Sequence, residues 1–158
     1  MYTFHTEGLQ EYNYWERLQL MTLQSVQRRH ERYRLIYIWK IINNIVPNCG
    51  LDWATTRYGM KLIIPKSKDS HCTVARNMRE QSLSNHGGSI FNLLPEHIRN
   101  WNGTIDTFKL KLDEFLSALP NQPYTGSLIP APVNRITCRN SNSIKDWIYY
   151  LNLNTRST

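Results

Sequence analysis

Four arginines, Arg28, Arg29, Arg32 and Arg34, crowd into the run Gln27-Arg28-Arg29-His30-Glu31-Arg32-Tyr33-Arg34, opposed only by Glu31, for a local charge of +3. Guanidinium groups keep their charge at physiological pH and fork onto phosphate oxygens, so this residue type at this density points to a polyanion. Four such phosphate contacts would give a slope of log affinity against log salt of about −3 to −4. Tyr33 or Trp15 would add base stacking, and nothing implies sequence-specific readout. The competing interpretations are a solvated basic helix face, or arginines that orient the helix against its neighbours.

No other constellation in the chain carries chemistry. None of the local signatures of an activated Ser or Cys nucleophile is present. The five histidines are isolated singletons apart from the adjacent His71-Cys72 pair. Neighbouring side chains on a strand point to opposite faces, so that pair alone chelates poorly. Gly87-Gly88 is too short for a phosphate loop. Asp52, Asp69, Asp106, Asp113 and Asp146 are dispersed, whereas two-metal phosphoryl transfer needs clustered carboxylates. Trp15, Trp39, Trp53, Trp101 and Trp147 each adjoin an apolar run and read first as core or rim residues. The expectation is therefore no catalytic residue, no metal, no cofactor and no small-molecule substrate.

The elements that must position the arginines are helical. Asn13 is placed to cap a short helix from Tyr14 to Met21, and Ser25 a longer one to about Val46, stopped by Pro47 and Asn48-Cys49-Gly50. In the longer helix Val26, His30, Tyr33, Tyr37, Ile41 and Asn44 follow a three-to-four spacing, with Leu35, Ile38, Ile42 and Ile45 widening an apolar face. Met60 to Ile64 is β-prone, and an extended segment within His71 to Leu83 would pair with it. After a break at Gly87-Gly88, Ser89 to Leu94 reads as a short helix, and Pro95 opens a further turn from Glu96 to Arg99. Thr104 caps the clearest helix, Ile105 to Leu119, whose stripe is Ile105, Phe108, Leu112, Phe115, Leu116 and Leu119. Residues 121–142 read as a surface loop, followed by a short helix around Ile144 to Leu151.

At 158 residues the chain has the size of one domain, and its formal charge of +7 with a pI near 9.5 suits nucleic acid. Three widely spaced cysteines, Cys49, Cys72 and Cys138, fit a reducing compartment better than a disulfide framework. No signal peptide and no long apolar span is evident, so the expected location is intracellular, in cytoplasm or nucleus, away from membranes.

Three ordered phrases resemble the C-terminal region downstream of the reverse transcriptase domain in metazoan non-LTR (LINE-type) retrotransposon polyproteins. The first is Tyr14-Trp15-Glu16-Arg17-Leu18, followed by Leu23 to Tyr33 and Ile36 to Asn43, then Val46-Pro47-Asn48. His30 departs there from an RRRERY-like core. The second is Arg79, Ser82-Leu83 and Ser89 to Arg99, which is similar to a segment ending in N-x-L-P-x-x-I-R. The third is Ile105 to Leu116, leading to Leu119-Pro120-Asn121-Gln122-Pro123. Together they span residues 12 to 148.

The resemblance implies a C-terminal fragment of a retrotransposon protein without its palm or endonuclease, since the Y/F-x-D-D turn, the endonuclease and the C-C-H-C knuckle are absent. It implies a basic helical module that holds template RNA or target DNA beside a reverse transcriptase domain and is no enzyme itself. The alternative is a structural or protein-interaction domain that packs against a neighbouring polymerase, with the stripe of the Thr104-to-Leu119 helix left partly exposed. The expected fold is mainly α, with room for a short β-hairpin in the middle. Residues 1–12 would be flexible, 13–120 the helical domain, and 121–158 a Pro/Asn/Ser-rich loop with a short C-terminal helix.

Overall fold

The computed structural model describes residues 8, 11–57, 59–65, 73–122 and 143–148. It is mainly helical, with helices α1 (Tyr14–Leu20), α2 (Val26–Ile42), α3 (Thr73–Glu80), α4 (Gly88–Leu93), α5 (Glu96–Arg99) and α6 (Ile105–Ser117), and a hairpin of β1 (Asp52–Thr56) and β2 (Gly59–Ile63). A π-helical turn, Leu83–Gly87, leads into α4. The chain divides into two compact units, one of residues 1–30 and 120–158, the other Glu31–Leu119, so the division falls within α2.

In the first unit Asn13 forms a capping box. Its Oδ1 accepts from the amides of Trp15 and Glu16, and Glu16 Oε2 accepts from the Asn13 amide at 2.8 Å. The helix ends in a Schellman turn, with Leu23 N donating to Leu18 O at 2.8 Å and Thr22 held at φ 52°. Ser25 starts α2, its Oγ accepting from Arg28 N at 3.2 Å. Asn121 clasps this corner by accepting from Ser25 N and donating to Leu23 O, each at 3.1 Å. Residues 144–148 are helical and bury Ile144 and Ile148. The rest of the expected loop, and residues 149–151 of the expected last helix, lie outside the described residues.

The second unit packs Leu35, Ile38, Trp39 and Ile41 of α2 into a core with Ile90, Phe91, Ile98, Phe108 and Leu112. Trp39 stacks on Phe108 with ring centroids 4.9 Å apart, and its Nε1 donates to Trp101 O. The α6 stripe is buried at Phe108, Leu112, Leu116 and Leu119, with Ile105 and Phe115 half-buried. That helix begins at its Thr104 cap as expected.

Three expectations need correction. α2 ends at Ile42, before Pro47: Asn44 adopts φ 56° and Ile45 N donates to Lys40 O at 2.9 Å, a Schellman turn that closes the helix unaided by proline. The partner of β2 precedes it in sequence. Asp52 pairs with Ile63 and Thr56 with Gly59, while residues 73–80, assigned to a strand, are helical. Gly87-Gly88 is no break, because both residues are right-handed helical inside one run from Leu83 to Leu93. A Cβ on Gly87 would lie 2.9 Å from Ile38 Cδ1, so glycine is there for close approach to α2.

The phrase Asn92-Leu93-Leu94-Pro95-Glu96-His97-Ile98-Arg99 has a structural use at most of its marked positions. The Asn92 side chain accepts from Leu62 N and donates to Leu62 O, both at 2.8 Å, pairing with β2 as another strand would. Leu94 and Ile98 are buried, Pro95 caps α5, and Arg99 Nη1 donates back to Asn92 O at 3.1 Å.

Candidate nucleic-acid interface

α2 carries all four arginines first assigned to phosphate, and it sorts them by position. Side chains three, four and seven apart share a helix face. Arg28, Glu31, Leu35, Ile38 and Trp39 therefore fall on one side, and all are buried. The opposite side carries Val26, Arg29, His30, Tyr33 and Tyr37, all exposed, and the half-buried Lys40.

Arg28 is only 1% exposed, and its Nη2 donates to Pro120 O at 2.7 Å. A guanidinium withdrawn from solvent cannot present its fork to a phosphate, so Arg28 leaves the candidate set. Arg32 donates through Nε and Nη2 to both oxygens of Asp113, at 2.5 and 2.6 Å, a bidentate pair within the second unit. The hydrogen bond to Asp113 raises the Arg32 pKa above its ordinary value, against a smaller opposing effect of burial. Its charge is already matched by a carboxylate. Arg29 is exposed and Arg34 half-buried, and among the described residues neither has an acidic partner.

The apolar stripe expected to face the core runs in fact mostly along the solvent side. Ile41 is buried, as are Leu35 and Ile38 that widen the stripe, whereas Tyr33 is 62% and Tyr37 41% exposed. Together with Arg34, Ile36, Lys40 and Leu83 these tyrosines line an open groove of about 390 Å³. Tyr37, Lys40 and Leu83 were absent from the candidate site. Spacing held a usable signal, since Tyr33, Arg34, Tyr37 and Lys40 recur at intervals of three and four beyond the arginine run.

Arg28 has buried counterparts elsewhere in the chain. Arg17 and Arg99 are 5% and 7% exposed, so the sequence charge overstates the cations available at the surface. Among the remaining aromatics, Trp15 meets Tyr14 edge-on at 4.8 Å, and Lys111 Nζ sits 4.5 Å over the Trp101 ring. His71-Cys72 lies outside the described residues. Among those described, no group of three or more His, Cys, Asp or Glu could hold a metal, and no helix is long and apolar enough to cross a membrane.

No protein-family model matches the sequence, and neither a curated protein nor a solved structure matches it significantly.

Proposed function

We propose that this chain is an auxiliary nucleic-acid-binding module of the kind found downstream of the reverse transcriptase domain in metazoan non-LTR retrotransposon polyproteins. It holds RNA template or target DNA inside the cell, beside a reverse transcriptase domain, and does no chemistry on it. Support comes chiefly from one observation: Arg34 and Lys40 line the solvent-facing groove of α2 and have no acidic partner among the described residues. Arg29 is a further exposed cation on the same helix, and the net charge of +7 adds long-range attraction.

Replacing Arg29, Arg34 and Lys40 together by Gln tests this. Labelled RNA and duplex DNA are titrated against both proteins at two salt concentrations. Three phosphate contacts give a slope of roughly −2 to −3, and the variant should lose most of it. Equal binding by both proteins, or none by either, would refute the proposal.

A second possibility, a protein-interaction domain that packs on a polymerase, is favoured by a different feature from the one first expected. The α6 stripe is covered, whereas α3 buries none of its residues and leaves Val74 and Met78 65% and 72% exposed. Substituting Val74 and Met78 by Ser should then abolish association with a reverse transcriptase domain while leaving nucleic-acid binding intact.

A further inference from the structure

We propose that the α2 groove is a stacking platform for unpaired bases, so that the nucleic acid this chain holds is a single strand. This rests on the nucleic-acid function proposed above and names the form of the ligand. Tyr33 and Tyr37 are four residues apart on one face of α2, about 6 Å along the axis. Tyr33 is 62% and Tyr37 41% exposed, although burial of an aromatic side chain is normally favourable. Two exposed rings at this interval can each take one base of a flexible strand, which duplex bases cannot offer because their faces are covered by their neighbours.

The surroundings match that ligand. Ile36, 6% exposed, and Leu83 supply an apolar floor for a base, and Arg34 and Lys40 supply cations for the adjoining phosphates. The Arg32 guanidinium carbon lies 5.8 Å from the Tyr33 centroid, restricting where that ring can swing. The groove is too open to enclose a small molecule, which is normally buried over most of its surface.

The test uses the full chain and labelled oligo-uridine, oligo-deoxythymidine, an abasic oligonucleotide of equal length, and a duplex of mixed sequence. Stacking on a ring is expected to contribute roughly tenfold in affinity per base. The wild-type protein should therefore bind oligo-uridine or oligo-deoxythymidine at least tenfold more tightly than the abasic strand. The Tyr33→Ala/Tyr37→Ala variant should lose that preference while still binding the abasic strand, and Tyr33→Phe/Tyr37→Phe should retain it. The oligo-uridine and oligo-deoxythymidine arms distinguish RNA from DNA as the source of the bases. Equal affinity for base-bearing and abasic strands, or preference for the duplex, overturns the platform but leaves phosphate binding standing. Failure to bind any of the four overturns both. Dimerisation of the wild-type chain that the Ala variant abolishes, without base preference, would assign the groove to a second copy and likewise overturn it.

Discussion

The two sides of α2 are built from interleaved residues of one run, yet they treat charge in opposite ways. On the buried side Arg28 meets the Pro120 carbonyl and Glu31 meets His86 Nε2 at 3.2 Å, while Arg32, half-buried beside them, is forked onto Asp113. On the open side Arg29 and the groove residues Arg34 and Lys40 have no acidic partner among the described residues. A buried charge is costly unless paired, whereas an exposed one keeps its hydration and remains available to a ligand. Density of arginine in a sequence therefore measures demand for anions without saying whether the protein itself supplies them.

The sharpest way to break this comparison is to truncate one aromatic on each side. Trp39→Ala removes a ring that is 2% exposed and stacked on Phe108, and should destabilise by about 3–5 kcal/mol in urea denaturation. Tyr33→Ala, at 62% exposure, should change stability by no more than about 0.5 kcal/mol. Comparable losses from the two would mean that the open side is covered in solution.

A second contrast holds charge and residue type constant. Arg28→Ala strips the donor from the Pro120 carbonyl and should cost about 2 kcal/mol, since hydrogen bonds to charged groups contribute roughly 1.5–3 kcal/mol. Arg29→Ala should leave stability within about 0.5 kcal/mol and weaken nucleic-acid binding. Thermal melts and RNA titrations of the two variants should thus give a double dissociation. An Arg28→Ala protein that melts like wild type and binds RNA poorly would put Arg28 back among the phosphate contacts.

Local signals in the sequence were read well where one residue does one job. Asn13, Ser25 and Thr104 cap the helices assigned to them, and Phe108, Leu112 and Leu116 face the core. The candidate site was harder to read, for a physical reason. Apolar residues line both sides of α2, with Val26, Tyr33 and Tyr37 exposed and Leu35, Ile38 and Trp39 buried, so periodicity alone could not choose the core face. Arg28 and Glu31 look like surface residues until their tertiary partners, the Pro120 carbonyl and His86, are known. β1 was missed because all five of its residues are exposed, leaving no alternation to detect. Gly87 depends on a methyl of Ile38 far away in sequence, and nothing local distinguishes such a glycine from a break.

The smallest expected effect concerns Arg32, the residue between the two sides. Its partner Asp113 is 40% exposed and Arg32 itself 21%, so solvent screens the pair and the coupling should be only about 0.5–1 kcal/mol despite the bidentate geometry. A double-mutant cycle with Arg32→Gln and Asp113→Asn measures it. Because the hydrogen bond to Asp113 raises the folded Arg32 pKa above its ordinary value, its contribution is fully present below that ordinary value and is lost only as pH climbs through the higher folded one. Coupling should therefore stay constant from about pH 7 to about pH 10. Asp113→Asn should also release the guanidinium from its carboxylate and strengthen RNA binding at low salt, by severalfold at most. If that variant binds no better, Arg32 is fixed in place by packing and belongs wholly to the buried side of α2.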